Sequence, residues 1–197
     1  MATKISTTVR LPARERLLAA AEALFYEEGV NAVGIDKVIA HAGVAKASLY
    51  ASFGSKEELV RSYLLMRQEA RQRRVTAGLQ QYETPRERLL GVFDLLGELM
   101  AQADFRGCAF TKAGLEARAG SSVRDTCDDA RKWLSDLFVG LVRDAGVDQP
   151  AQLAQQLVML YDGASIAAQM DANPQAAASA RVVAAAMLEL YLPPVSA

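Results

Sequence analysis

The stretch GVAKASLYASFGSKEEL, residues 43–59, predicts two short helical segments joined by a two-residue break. Its first half predicts a short amphipathic helix from Lys46 to Phe53, with Leu49 and Phe53 four residues apart on one apolar face. Polar side chains that offer hydrogen-bond donors and an aromatic hydroxyl occupy the rest of this helix: Lys46, Ser48, Tyr50 and Ser52. The pattern therefore predicts a helix that packs through one face and leaves the other open to hydrogen bonding.

A second helix is expected after the break at Gly54 and Ser55. Ser55 can cap this helix, and Glu58 can return a hydrogen bond to the amide of the cap, as in a capping box. Lys56 then lies in the first turn, where a positive charge opposes the helix dipole. A phosphate at this helix end would offset that cost, because free amides and the lysine converge on one anion. A solvated surface lysine is the alternative interpretation.

Another short helix precedes the stretch, from Val33 to Ala42. Gly43 after it suits the left-handed residue that ends a helix before a tight turn. Two short helices joined across a glycine turn form a helix-turn-helix, whose second helix enters the major groove of DNA. The sequence thus predicts a DNA-reading pair, in which the helix that begins at Lys46 is the second member.

With these residues the chain resembles the tetracycline repressor (TetR) family of one-component transcriptional regulators. The resemblance rests on PARERLLAAAEALFYEEG at residues 12–29, on the helix at residues 35–43, and on AGVAKASLYASFGSKEELV at residues 42–60. It is strong over about a quarter of the chain. The remainder resembles the family only in its length and its helical pattern.

The resemblance implies roles for single residues of the DNA-reading pair. Lys46 and Ser48 would reach base edges, whereas Tyr50 and Lys56 would hold phosphates. The family usually has a threonine at the start of the second helix to hold a further phosphate, a corner where this chain offers only backbone amides. The complete expected DNA-binding set is Lys46, Ser48, Tyr50, Ser52, Lys56, Gly34 and Ile35.

The helical pattern and the resemblance together predict an all-α protein of about nine helices in two domains. Residues 1–55 would form a three-helix DNA-binding domain, and residues 56–197 a helical domain for effector binding and dimerisation. A long helix from Ser55 to about Gln81 would lead from one to the other. Thr84 then opens a new helix with a capping box and Pro85 at its first position.

Composition and charge agree with this class of protein. Apolar residues make up 51% of the 197 residues, which is enough for a sizeable core. The net charge is −1, but residues 1–74 carry twelve Lys and Arg against eight Asp and Glu, and the rest carry ten against fifteen. A basic front suits a protein that presents one end to DNA. Because no apolar run is long enough to span a membrane and no signal peptide is evident, we expect a cytoplasmic protein.

In the family, helices of the second domain surround an effector pocket. The resemblance therefore implies a pocket for a small, mostly apolar molecule, lined by apolar and aromatic residues of four helices: Phe93, Leu96, Met100, Phe110, Trp133, Leu137, Met159 and Tyr161. Lys112, Asp162 and Ser165 are candidate polar anchors. Ordinary core packing is the alternative for every apolar member.

The last two helices are rich in small residues, with GASIAA at residues 163–168 and AAASARVVAAA at residues 176–186. Small residues let helix backbones approach closely, although they also occur simply as helix formers. In the family, these helices pair with those of a second subunit to form a four-helix bundle. The resemblance implies a homodimer through Gly163, Ala164, Ala167, Ala180 and Ala184.

An enzyme has little support in the sequence, and we expect no metal and no cofactor. The chain has no nucleophile elbow, glycine-rich phosphate loop or metal-binding helix pair, and its single histidine, His41, lies in the DNA-reading pair. Two rival functions stay open. One is a thiol-based electrophile sensor through Cys108, against which stands a buried inert thiol. The other is a helical adaptor that binds protein, which would lack the steep salt dependence of DNA binding.

The sequence therefore favours a ligand-responsive transcriptional regulator, and a repressor over an activator. It would bind a pseudo-palindromic operator as a dimer and be released by a small molecule.

Overall fold

The structure is a computed structural model that describes residues 11–191. All regular secondary structure in this range is α-helical, which confirms the all-α prediction. The nine helices are α1 (Ala13–Glu28), α2 (Ile35–Ala42), α3 (Lys46–Phe53), α4 (Lys56–Leu79), α5 (Pro85–Met100), α6 (Ala109–Glu116), α7 (Ser122–Asp144), α8 (Pro150–Met170) and α9 (Ala176–Tyr191).

The chain divides into two compact units, one up to Tyr63 and one from Leu64. The division falls inside α4, whereas the sequence pattern puts the boundary between residues 55 and 56, at the start of that helix. Packing explains the later position. Tyr63 is fully buried, and its ring meets that of Phe25 edge-on with centroids 5.7 Å apart, so the first turns of α4 belong to the first unit.

In the first unit, α1 supports the pair formed by α2 and α3. Its inward stripe includes Leu17, Ala21 and Phe25, all buried. Arg16 on the same helix donates hydrogen bonds to the carbonyl oxygens of Ala42 and Gly43 at the end of α2. The last carbonyls of a helix have no partner inside it, so this arginine satisfies groups that would otherwise depend on water.

The second unit has an aromatic centre formed by one ring from each of three helices. Phe93 on α5, Phe138 on α7 and Tyr161 on α8 are buried, with ring centroids 5.9 to 6.4 Å apart. Burying a large apolar side chain contributes about 1.5–3 kcal/mol. These rings and the leucines around them hold α5, α7, α8 and α9 around one core.

A local signal sets the start of α5 in the second unit. Thr84 accepts a hydrogen bond from the Glu87 amide at 3.2 Å, and Glu87 accepts one from the Thr84 amide at 2.9 Å, so the expected capping box at the start of α5 is present. The short helix α6 begins at Ala109 and ends at Glu116. No helix between residues 11 and 191 combines the length and the apolar character needed to cross a membrane.

Candidate DNA-binding surface and ligand cavity

The turn between α2 and α3 has the geometry of a helix-turn-helix. Gly43 ends α2 in the left-handed conformation, with φ 60° and ψ 44°. The Val44 amide donates back to the Ile39 carbonyl at 3.3 Å, which closes the turn in the manner of a Schellman motif. A side chain at position 43 would strain this conformation, so the glycine determines where α3 begins.

The third helix packs through Leu49 and Phe53, as expected, and exposes the rest of its surface. Lys46 and Tyr50 are exposed, whereas Ser48 and Ser52 are half-buried. Ala47 and Ala51 are also exposed, which the sequence pattern does not single out, although their spacing of four residues indicates a common face. Small exposed residues allow a helix to approach a partner closely, and alanine can contact a thymine methyl group in the major groove.

Lys46 pairs with an acidic residue of α2. Its ammonium nitrogen lies 3.1 Å from a carboxylate oxygen of Asp36, and both side chains are largely exposed. The hydrogen bond to Asp36, together with its charge, raises the pKa of Lys46, so the lysine stays protonated. Exposed pairs of this kind contribute little to stability, because water and salt screen them. The pair can therefore separate readily when Lys46 meets another acceptor.

The N-termini of α2 and α4, the helices before and after α3, are the other expected DNA contacts. Before α2, Gly34 occupies the cap position in an extended conformation without a side-chain hydrogen bond, and Ile35 is the first helical residue. Before α4, the Ser55 hydroxyl accepts a hydrogen bond from the Glu58 amide at 3.1 Å, as the capping pattern predicts, and Lys56 begins the helix. The first backbone amides of each helix have no partner within the helix, and such amides can bind anions at helix N-termini.

The second unit contains a cavity of about 200 Å³ beside α6 and α7. Its buried lining residues include Cys127, Leu134 and Tyr161, and its more exposed ones include Thr111 and Leu115. The complete lining is Arg71, Cys108, Phe110, Thr111, Gly114, Leu115, Arg124, Cys127, Asp128, Arg131, Leu134, Tyr161 and Asp162. The lining is thus partly apolar, but it also carries three arginines and two aspartates.

Four of these five form ion pairs within the lining. Arg124 lies 3.1 Å from a carboxylate oxygen of Asp128, one helical turn further along α7. Arg131 on α7 pairs with Asp162 on α8. Both pairs are about half exposed, so solvent screens them.

The fifth, Arg71 on α4, has a different environment. Its guanidinium donates to the Ala130 carbonyl at 2.6 Å and to the Gln68 side chain at 2.7 Å. It also lies 4.6 Å from the ring centroid of Phe110 and 4.9 Å from that of Trp133, within the range of a cation–π contact. Burial lowers the pKa of this arginine, because it disfavours the charged form.

Only some residues expected from the sequence to bind a ligand lie at this cavity. Phe110 and Tyr161 line it, and Trp133 adjoins it through Arg71. Phe93 and Leu96 are instead buried in the core, and Met100 and Leu137 pack against that core. Met159 is 65% exposed on α8. Among the candidate anchors, Asp162 lines the cavity, whereas Lys112 and Ser165 do not.

The sequence pattern misses most of the charged lining. Arg71 belongs to a run of arginines on α4 that indicates a solvated face, and the ring contacts that bury it come from α6 and α7. Arg124, Asp128 and Arg131 also look like an ordinary charged helix surface. Their spacing along α7, four and three residues apart, is the signal that one face of this helix carries them together.

The two cysteines both line the cavity and are free. Burial and the neighbouring Cys108 raise the pKa of the Cys127 thiol to about 11. Cys127 is therefore a neutral thiol at physiological pH and a poor nucleophile. In the described part of the chain, no group of three or more His, Cys, Asp and Glu side chains is placed to hold a metal ion.

The small residues of α8 and α9 face two ways. Ala164, Ala180 and Ala184 are buried in the core of their own unit. Their expected contact with a second subunit stays a prediction. Gly163 is exposed and Ala167 is half-buried. The outward surface carries larger apolar residues, which we call the outer stripe: Met159, Ile166, Met170, Val182, Val183 and Leu190.

Comparison with known proteins agrees with this architecture. The family described as bacterial regulatory proteins, tetR family, matches residues 17–63. The transcriptional repressor NemR of Escherichia coli is 27% identical over 167 residues, which cover 80% of this chain and 84% of NemR. The transcriptional regulator LmrA of Bacillus subtilis is 27% identical over 142 residues, which cover 69% of this chain and 74% of LmrA.

Solved structures extend the likeness to both units. SCO4454, a TetR-family transcriptional regulator from Streptomyces coelicolor, is 29% identical with a TM-score of 0.86, covering 91% of this chain and 95% of its own. A TetR transcriptional regulator from Streptomyces avermitilis is 31% identical with a TM-score of 0.81, covering 92% of this chain and 98% of its own. Since this identity extends over nearly the whole of both chains and the family pattern covers the helix-turn-helix, the chain belongs to the TetR family of transcriptional regulators.

Proposed function

We propose that this regulator binds operator DNA through α3 and the two helix starts that flank it. The observation that carries the proposal is the polarity of α3. Leu49 and Phe53 are buried, whereas Lys46, Tyr50 and the alanines at 47 and 51 are exposed. The exposed surface of α3 thus carries a lysine in its first turn and small side chains beside it, which suits insertion into the major groove.

The proposed contacts fall into two classes. Lys46 and Ser48, in the first turn of α3, read base edges, and a lysine there favours the acceptors of guanine. The other residues of the surface hold the phosphate backbone: Tyr50 and Ser52 through hydroxyl groups, Lys56 through its charge, and Gly34 and Ile35 through backbone amides. Base contacts set the preferred sequence, whereas phosphate contacts set position and overall affinity.

We further propose that the regulator is a repressor that a small molecule releases from DNA. The relative NemR is named a transcriptional repressor. The cavity of the second unit is the proposed effector site, and Arg71 in its lining lies on α4, the helix that begins at the DNA surface with Lys56. An effector that binds better to an arrangement unable to bind the operator would shift the population and free the DNA.

A homodimer completes the proposal. Two α3 helices related by a twofold axis would read a pseudo-palindrome with half-sites about one helical turn apart, or a multiple of it. The outer stripe supplies the proposed contact between subunits, because exposed apolar side chains on two neighbouring helices are a common mark of an interface. The proposed site of action is the cytoplasm, and no catalytic activity is proposed.

Footprinting the protein on fragments of its own genome tests this function. We expect protection of a pseudo-palindromic site, with affinity that falls steeply as salt increases, because DNA binding releases counterions. Titration on the protected sequence and on a scrambled version of it separates specific from general binding. A helical adaptor that binds only protein would protect no site and would show no such salt dependence.

A further inference from the structure

The cavity of the second unit carries an excess of one positive charge. Its lining has three arginines and two aspartates, and each aspartate already pairs with an arginine of the lining. Within residues 11–191, no carboxylate forms an ion pair with the remaining arginine, Arg71. Tyr161 adds no negative charge, because burial raises the pKa of its phenol and keeps it neutral at physiological pH.

Arg71 is therefore a partly buried cation whose hydrogen-bond donors are not all used. The guanidinium donates to two neutral acceptors, the Ala130 carbonyl and the Gln68 amide oxygen, and both accept from the same terminal nitrogen. Its Nε atom is buried and has no hydrogen-bond partner. A buried N–H without an acceptor is costly, more so on a charged group. An anion that reaches this guanidinium would compensate both its charge and its unused donors.

The other lining residues indicate the size and polarity of the rest of the ligand. Phe110, Leu115, Leu134 and Tyr161 present apolar surface to a space of about 200 Å³, which suits a small compact molecule. A cationic ligand fits less well, because the guanidinium of Arg71 already lies against Phe110 and Trp133, the rings that would otherwise attract it. A single excess charge matches a monoanion better than a dianion such as a phosphate ester.

We propose that the effector is a small monocarboxylate with an apolar body, whose carboxylate pairs with Arg71. The guanidinium group is suited to this role, since its planar array of donors matches the two oxygens of a carboxylate. The inference rests on the proposed function, in which this cavity is the effector site. It adds the chemical class of the effector and the residue that recognises it. Because Arg71 lies on α4, the carboxylate acts on the helix that also carries Lys56.

A matched panel of probes tests the charge of the ligand. Benzoate, phenylacetate and octanoate are each compared with the amide and the amine of the same carbon skeleton, by calorimetry and by the emission of Trp133, the only tryptophan. We expect at least one carboxylate to bind at about millimolar affinity or tighter, and about tenfold or more above its amide. Its binding should change the emission of Trp133, whose ring lies 4.9 Å from the Arg71 guanidinium.

Several outcomes of this panel would overturn the inference. They are equal affinity for carboxylate and amide in every set, tighter binding of an amine, and no detectable binding of any of the three carboxylates. Phenyl phosphate serves as the dianionic probe. If it binds more tightly than every carboxylate, the ligand class is a phosphate ester instead.

Two variants change the affinity in opposite directions. Arg71→Gln keeps hydrogen-bonding groups but removes the charge, and it should weaken carboxylate binding about ten- to a hundredfold while leaving amide binding unchanged. Asp162→Asn frees Arg131 and adds a second excess charge to the cavity, so it should tighten carboxylate binding severalfold. The second variant tests the inference even if Arg71→Gln folds poorly. Unchanged carboxylate affinity in Asp162→Asn, or in a folded Arg71→Gln variant, contradicts the assignment.

Arg73→Gln is the matched control. Arg73 lies on the same helix, is exposed and pairs with Glu69 away from the cavity, so its loss removes one charge without changing the lining. Ligand binding is measured on protein without DNA, and operator binding is measured without ligand. A protein that binds its operator but no carboxylate refutes only this inference. A protein that prefers a carboxylate at Arg71 but binds no operator refutes the proposed function instead.

Discussion

Among single residues, Asp36 should weaken DNA binding in two ways if Lys46 contacts DNA as proposed. The aspartate holds the lysine that would read a base, and its own charge would repel the nearby phosphates. Asp36→Asn removes both effects, so we expect tighter binding to the operator and to scrambled DNA. Gel-shift titrations at one fixed salt concentration measure the change.

Glu28→Gln is the control for this prediction. Glu28 forms a similar exposed pair with Lys37 in the same unit, on the helix before the DNA surface. The substitution changes the net charge by the same amount without releasing Lys46. If both variants tighten DNA binding equally, the effect is one of total charge and the pair has no specific role.

Replacing Lys56 and replacing Lys46 should change DNA binding in different ways. Lys56→Ala would remove the proposed phosphate contact at the start of α4, so it should weaken binding to every DNA sequence alike and reduce the salt slope by about one per subunit. Titrations at several salt concentrations, on operator and on scrambled DNA, measure the slope. A variant with altered base preference and an unchanged slope would overturn the phosphate role.

Lys46→Ala should instead relax base preference at one or two positions of each half-site. We expect a loss of about ten- to a hundredfold on the best sequence and a smaller loss on others, because only a base contact depends on sequence. Selection from a randomised operator library reports the preference at each position. If the preferred sequence is the same for this variant and for the parent, Lys46 contacts only the backbone.

At the scale of helices, the capping box that begins α5 should contribute measurable stability. Thr84→Ala removes one of its two hydrogen bonds and should lower the free energy of unfolding by about 1 kcal/mol. Denaturant unfolding measures the difference. Thr76→Ala is the control, because Thr76 is exposed within α4 and caps no helix. Equal effects of the two substitutions would mean that the cap adds nothing beyond the change of residue type.

The same cap predicts a dependence on pH. Its hydrogen bonds with Thr84 lower the pKa of Glu87 below the usual value of 4.5. A folded-state pKa that lies below the unfolded one gives stability that is complete above the unfolded value and is lost as the pH falls through the folded value. The difference in stability between the parent and Glu87→Gln should therefore shrink as the pH falls below 4.5. A difference that stays constant over that range would exclude this linkage.

The helices could be predicted from the sequence because their signals are local. Gly43, Ser55 and Thr84 each mark a helix end within a few residues, and the structure has helix ends at all three. The environment of Arg71 could not be predicted in this way. Whether an arginine on a polar helix is solvated or stacked depends on the rings of Phe110 and Trp133, which lie far along the chain.

The sequence also does not show which small residues of α8 and α9 face the core. An alanine-rich helix has a weak hydrophobic pattern, so composition alone does not show which alanines face the core. In the structure, Ala180 and Ala184 lie four residues apart on the inner face, whereas Val182 and Val183 lie outside. The DNA-binding set stays a prediction, although the exposure of Lys46 and Tyr50 and the burial of Leu49 and Phe53 agree with the pattern.

For the molecule as a whole, the outer stripe places exposed apolar side chains on two neighbouring helices, α8 and α9. Met159, Ile166 and Met170 on α8 lie close to one face, as residues seven and four apart do. Val182 and Leu190 on α9 are 69% and 83% exposed. Single exposed apolar residues need no explanation, but two neighbouring helices that both expose them indicate a surface that another molecule covers.

Assembly can be tested by comparing outer and inner positions of α9. Val182→Glu and, on α8, Ile166→Glu change side chains that are exposed in a single subunit, so each subunit should stay folded. In a dimer these substitutions would bury an unpaired charge, so we expect the variants to be monomers. A monomer should bind the operator poorly, because its single DNA-binding unit contacts only one half-site. Ala184→Glu, at a fully buried position, should destabilise the subunit itself.

Analytical ultracentrifugation and circular dichroism separate these effects. The outer variants should sediment as folded monomers, whereas the inner variant should lose helical signal on mild heating. Leu115→Glu places the same charge at an exposed apolar position on α6, outside the stripe, and should leave the assembly state unchanged. If Val182→Glu and Ile166→Glu both remain dimers, the two subunits meet through another surface. The half-site spacing of the operator would then reflect that other geometry.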